Sequence, residues 1–270
     1  MIRLAIHSVP RSGSSWLGQI INSSTLVNYS FQPLFSYAFK DRLNLKSSQL
    51  EITQFFKEIA ESNDPFINQT DEIKRGIYPS FIKAQKFTHI AYKEVRYHNL
   101  LPHLMQMDKN LKVIGLIRNP LAVLSSWFCA PKEFRYDLGW KIKEEWKKAN
   151  KKNLNRHEEF FGYEKWKELT LQFHDLKILY PDRFHILKYS DLIKDPIKAM
   201  QECFAFSNIE WNDQTNNFIM ESISQNNLDT YSVYKKTTKY DSKWKGKIDN
   251  EIESFISSDL DLSVLSTYLD

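Results

Sequence analysis

A chain of 270 residues with 42% hydrophobic and 26% charged residues has room for one large domain or two small ones, and its composition is neither disordered nor fibrous. Its formal net charge of +4 suits an anionic small ligand or an acidic glycan, but is too weak to argue for nucleic acid. Cys129 and Cys203 stand far apart and outside any Cys/His cluster, which indicates neither a disulfide framework nor a zinc site, and no apolar run reaches the roughly 18–20 residues of a membrane span.

The chain opens on an apolar run, Ile2 to Val9, which reads as a strand. Pro10-Arg11-Ser12-Gly13-Ser14-Ser15-Trp16 follows, and then a helix-like stretch from Trp16 to Ile21. A strand, a tight turn containing Gly and hydroxyl residues at a helix start together hold an anion: the first-turn N–H groups lack intrahelical partners, and the helix dipole favours negative charge there. Gly13 permits close backbone approach, Ser14 and Ser15 add hydroxyl donors, and Arg11 adds a fixed charge with several donors. A strand starting this early leaves no room for a signal peptide, so a cytoplasmic location is expected.

Asn28 to Tyr37 is aromatic, polar and broken by Pro33, and reads as a loop whose aromatics either line a pocket or pack beneath it. Ser47 or Ser48 caps an amphipathic helix to about Glu61, with Ile52, Phe55, Phe56 and Ile59 as its core face. Asp64 to Ile82, with Pro65, Gly76 and Pro79, reads as irregular structure. Thr88 to Val95 reads as a second strand whose end, Tyr92-Lys93-Glu94-Val95-Arg96, carries charge where open α/β sheets place ligand crevices. A short helix from about Asn99 to Met107 leads to a third strand, Leu111 to Ile117.

That strand runs into Arg118-Asn119-Pro120, with Asn119 as helix cap and Pro120 as first helical residue, and Ser126 lies two turns on. Here is a second strand-to-helix anion site. Two such sites in one sheet imply a ligand with two separated anionic groups, as in a nucleotide phosphorylated at both its 5′ and 3′ positions. Leu138 to Tyr180 is helical and interleaves Trp140, Trp146 and Trp166 with lysines, either as an acidic-polymer or sugar platform or as a solvated face anchored by core tryptophans. A fourth strand, Arg183 to Lys188, ends in Tyr189-Ser190-Asp191-Leu192, and a helix runs from Asp195-Pro196 through Phe204. Further helices are expected near 214–223 and 249–256. The lysine-rich Tyr231 to Lys247 between them is either a basic tail or a loop folding over a bound phosphate.

With both loops and the Tyr189 segment in place, the chain resembles sulfotransferases that use 3′-phosphoadenosine 5′-phosphosulfate (PAPS), over roughly residues 1–30, 88–130 and 183–207 with a weaker echo at 235–247. Pro10 to Trp16 is similar to the family's 5′-phosphosulfate loop in its carbohydrate-sulfotransferase form, Arg-Ser-Gly-Ser-Ser. Arg118 and Ser126 resemble its 3′-phosphate pair, and Tyr189 and Trp16 its adenine-side aromatics. The resemblance implies one α/β domain over residues 1–270, a P-loop-like central parallel sheet flanked by helices, with a helical acceptor-side insertion at roughly 131–180. It also implies PAPS as sulfuryl donor, no metal, and a glycan, glycolipid or other hydroxyl acceptor. Arg11, Ser12, Gly13, Ser14, Ser15 and Lys93 would then hold the phosphosulfate.

The sequence departs from the family in the proton acceptor. Carbohydrate-modifying relatives carry a Glu before a Pro about twenty residues past the loop Arg, where this chain has Gln32 before Pro33. The cytosolic branch has a His just after a strand-end Lys, and here Glu94-Val95 follow Lys93. Glu94 and then His98 are the candidate bases. The late loop lacks the Arg-Lys-Gly of the cytosolic branch, leaving Lys239 and Lys243 as candidates for the 3′-phosphate clamp. A nucleotide kinase or other P-loop NTPase, and a non-catalytic acidic-polymer-binding protein, are the alternative readings. The first would want Gly-x-x-x-x-Gly-Lys-Ser/Thr, whereas this loop has Gly13 alone.

Overall fold

β1 (Ile2–His7) is the middle strand of a five-stranded sheet in the order β2-β3-β1-β4-β5, formed with β2 (Val27–Phe31), β3 (His89–Glu94), β4 (Leu111–Ile117) and β5 (Phe184–Lys188). Every pairing is parallel. The computed structural model describes residues 1–235 and 239–269. Parallel strands need crossovers that cover both faces, which explains why β1, β3 and β4 are buried along nearly their whole length. Leu4 and Ile6 of β1 enter one core layer and Ala5 the other.

One layer is closed by α1 (Ser14–Asn22) with residues of two later helices, through Leu17, Ile20, Met200, Phe204 and Phe218. The opposite layer takes α2 (Gln49–Glu61), whose Ile52, Phe55, Phe56 and Ile59 are buried as their spacing predicts. Ser48 caps it in a reciprocal box with Glu51. The stretch 64–82 is irregular apart from the short α3 (Thr70–Lys74). α4 (Leu101–Met107) precedes β4, and α5 (Pro120–Phe128) follows it, with the Asn119 side chain accepting from Leu121 and Ala122. Beyond α5 come two single turns, α6 (Ile142–Glu145) and α7 (Asn150–Asn153), and then the long α8 (Tyr163–Leu179). After β5 the chain forms α9 (Tyr189–Lys194), α10 (Pro196–Ser207), α11 (Asp213–Ser224) and α12 (Asn250–Leu260).

Two expectations are corrected. Residues 28–37 were expected to form a loop, but Val27–Phe31 is the edge strand β2, in register with β3 from Val27 opposite His89 to Phe31 opposite Lys93. Val27, Tyr29 and Phe31 alternate at the period of a strand, and the break comes only at Gln32, which has a left-handed φ of 42° before Pro33. The middle of the chain is helical in pieces rather than throughout, and its tryptophans are structural. Trp166 is buried, and Trp140 and Trp146 pack against the same core, so none forms a free stacking platform. Among the described residues no helix is long and apolar enough to cross a membrane.

Gly115 in the middle of β4 sets the spacing between the sheet and α8. A Cβ there would lie 2.7 Å from Phe173 Cδ2 and 3.0 Å from Phe184 Cε1, both rings fixed in the core. Gly115→Ala is expected to destabilise the protein by about 1–3 kcal/mol through overpacking. A thermal melt would register this as a fall of several degrees, and an unchanged melting temperature would contradict the packing described.

Candidate functional site

The carboxyl ends of β1, β3 and β4 open on one cavity of about 420 Å³, a size that suits a small-molecule ligand. Its floor is the loop between β1 and α1. The chain turns there through Arg11 at φ 70° and Gly13 at φ 91°, the second of which only glycine adopts freely. Gly13 is fixed for a further reason: a Cβ on it would come within 2.5 Å of Tyr189 Cε2. No side chain caps α1, and Gly13, Ser14, Ser15 and Trp16 all line the cavity, so the positive end of the helix serves the site. Trp16 is held from its far edge, where Nε1 donates to Ser222 Oγ at 2.8 Å.

Lys93 enters from the tip of β3. Its Nζ stands 3.4 Å from Ser15 Oγ and 4.2 Å from the centre of the Phe31 ring. Burial pushes its pKa down to about 7, against the pull of Glu94 and Glu133. Strand alternation turns the next residue away. Glu94 is fully buried behind the cavity wall, where Oε1 accepts from the Leu34 backbone N–H at 2.8 Å, and burial pushes its pKa up to about 8. His98 is also enclosed, with Nδ1 2.8 Å from Nδ1 of His7, and burial lowers its pKa well below the usual imidazole value. Neither candidate base lines the cavity.

Arg118 enters from the tip of β4. Its Nη1 donates to the Arg11 carbonyl at 2.9 Å and its guanidinium lies 4.6 Å from the centre of the Tyr189 ring. The Trp166 indole N–H donates to the Arg118 carbonyl at 2.9 Å. Its fork grips a carboxylate of this same chain: Nε and Nη2 donate to the two oxygens of Asp241 at 2.7 and 2.8 Å. Ser126 accepts from Arg11 Nε at 3.2 Å, which joins the two loops. Of the late lysines, Lys243 lines the cavity whereas Lys239 is exposed and does not; Ser12 is buried under the loop.

The remaining expected residues, Arg11, Gly13 to Trp16, Lys93, Arg118, Ser126 and Tyr189, thus share one cavity. Arg96, Glu133, Tyr231, Lys235 and Asp241, to none of which the sequence assigned an individual role, also line it. Arg96 had a signal, since it sits just past the charged end of β3. Glu133 and Asp241 had none, because the fold carries each of them to an arginine more than a hundred residues away.

The model of the sulfotransferase domain family matches residues 2–261, and the chain belongs to that family. It is 28% identical over 141 residues to carbohydrate sulfotransferase 5 of Mus musculus, covering 50% of this chain and 35% of that one. It is 29% identical over 167 residues to carbohydrate sulfotransferase 3 of Tetronarce californica, covering 58% and 36%. The match therefore spans about a third of the length of these two curated relatives. Among solved structures the fold is similar to that of mouse sulfotransferase SULT7A1 complexed with PAP, with a TM-score of 0.54 at 16% identity over 99% of this chain and 88% of the other. It is also similar to the sulfotransferase domain from the curacin biosynthetic pathway, with a TM-score of 0.52 at 18% identity over 96% of each.

The depressed Lys93 gives the cavity a pH signature. An anion beside it favours its protonated form, so binding takes up a proton wherever the free lysine is neutral. Affinity for pyrophosphate is expected to weaken as pH rises from 7 to 9, by up to about tenfold per unit. Ionisation of Glu94 above its raised pKa acts in the same direction. Calorimetry in buffers of different ionisation enthalpy measures the proton uptake, which Lys93→Met should largely remove; pH-independent binding would exclude the role given to Lys93.

Proposed function

We propose that this sulfotransferase moves the sulfuryl group of PAPS to a hydroxyl of a carbohydrate or glycolipid acceptor by in-line displacement. One observation carries the donor half of the reading. Two strand-to-helix turns, each with an arginine, converge on one cavity whose described lining includes six cationic side chains and two carboxylates. Such a surplus calls for a multiply charged anion. The PAP named with the mouse neighbour is the bisphosphate that remains after sulfuryl transfer, and supports the same reading. The acceptor class rests on the two carbohydrate sulfotransferases and on the form of the Arg11 to Ser15 loop.

The residues fit the donor group by group. Arg11, the amide end of α1 and Lys93 would hold the 5′-phosphosulfate. Arg118, stacked on Tyr189, would hold the 3′-phosphate, with Lys243 near by. Sulfuryl transfer resembles phosphoryl transfer in its loose transition state, where charge builds on the departing oxygen. The protein then works by positioning and by preorganised donors. A phosphate taking the Arg118 fork displaces the Asp241 carboxylate, so the internal pair weakens donor binding and favours product release.

The first test is thermal stability with 3′-phosphoadenosine 5′-phosphate, AMP and Mg-ATP. A bound ligand at a hundred times its dissociation constant adds about 2.7 kcal/mol. Stabilisation by the bisphosphate and not by AMP is expected, whereas stabilisation by Mg-ATP alone would overturn the donor assignment in favour of a kinase. Arg11→Ala should cost on the order of 10²-fold or more in turnover. Asp241→Asn should tighten bisphosphate binding, and weaker binding in that variant would mean that Asp241 supports the bound state rather than opposing it.

A further inference from the structure

With Gln32 unable to take a proton and Glu94 and His98 behind the wall, the proton acceptor has to be sought among groups that face the cavity. Three carboxylates near it are engaged. Asp241 is held by Arg118, Glu159 receives Arg96 Nε on both oxygens at 3.0 and 2.9 Å, and Glu94 accepts from Leu34 inside the wall. Glu94 Oε2 is unpartnered too but lies inside the wall, whereas Glu133 reaches the cavity. It lines the cavity, its Oε2 lies 4.0 Å from Arg11 Nε, and that buried oxygen has no hydrogen-bond partner.

The backbone fixes Glu133 firmly. Its N–H donates to the Ala130 carbonyl at 2.8 Å, and its own carbonyl accepts from Trp127 Nε1 at 3.3 Å. The next residue, Phe134, is wholly buried against Trp127 and Phe128. That anchored turn places the carboxylate beside Arg11 in the cavity lining, with an acceptor position unfilled.

We propose that Glu133 is the general base for the acceptor hydroxyl, an assignment that rests on the sulfuryl-transfer reading above. The acceptor oxygen bonds to sulfur as the bond from sulfur to the bridging oxygen breaks. The electron pair of that bond departs with the bisphosphate, whose new charge Arg11 and Lys93 meet. The hydroxyl proton passes to the Glu133 carboxylate and from there to water. Donor and alcohol thus become sulfate ester, bisphosphate and one proton.

The test compares wild type with Glu133→Gln and Glu133→Asp in single-turnover release of bisphosphate from PAPS. The probe acceptors are water, a methyl glycoside and 4-nitrophenol, and bisphosphate binding is measured in parallel by thermal shift. For water and the glycoside, Glu133→Gln should lose about 10²-fold or more, the usual worth of a general base. For 4-nitrophenol, whose hydroxyl is acidic enough to need no base, the loss should stay under about tenfold. Glu133→Asp should recover part of the rate, and bisphosphate binding should be kept in Glu133→Gln. Equal losses for glycoside and phenol, or no loss with any acceptor, overturn the assignment while leaving the donor site standing. If the bisphosphate stabilises neither wild type nor variant, it is the sulfuryl-transfer reading that fails.

Discussion

Positive charge gathered at the ends of three parallel strands governs the organisation of this protein. The cavity collects Arg11, Lys93, Arg96, Arg118, Lys235 and Lys243 from the strand tips and the late loop. Charges drawn out of water must be compensated or neutralised, and the chain does both. Arg118 takes Asp241, Arg96 takes Glu159, and Arg11 stands beside Glu133 and lies 5.4 Å from the centre of the Tyr231 ring. Lys93, whose ammonium stands beside a hydroxyl and a ring, is pushed down by burial, and burial lowers Lys235 as well. Backbone conformation is subordinate to the same end. Arg11 and Gln32, two cavity residues without glycine's freedom, both occupy the left-handed region, a cost that clusters at functional sites.

Local grammar made both strand-to-helix loops legible in the sequence. Gly13 after an apolar strand, and Asn119-Pro120 after another, specify strand-to-helix turns without help from the rest of the chain, and both turns form as read. The parallel sheet was legible for the same reason: strands and helices alternate, and buried parallel strands are apolar throughout. β2 escaped because its neighbour Pro33 weighed more than the alternation of Val27, Tyr29 and Phe31.

The cavity wall was less legible, for two different physical reasons. Glu94 was chosen for adjacency to Lys93, yet a period of two sends neighbouring strand residues to opposite sides, so this placement was already available from the sequence. Glu133 and Asp241 are another matter. Their arginine partners lie 122 and 123 residues away in sequence, and only the fold determines that they meet. The tryptophans of the middle region show the converse. Trp140, Trp146 and Trp166 left two readings open in the sequence, a sugar platform or core anchors, and the fold packs all three against the core.

The position of β1 has a consequence for how the protein is made. It is the first of the five strands to leave the ribosome, yet it is the centre of the sheet, bonded only to β3 and β4. One edge has no partner until β3 is complete at Glu94 and the other none until β4 is complete at Ile117, a long interval for an apolar strand with open hydrogen-bonding groups. The loop that follows β1 waits longer still, since its Trp16 is anchored by Ser222 and the arginine resting on its carbonyl is matched by Asp241. Nascent chains of this protein should therefore lean on holdase chaperones early in translation, and the ligand cavity should be among the last features to mature.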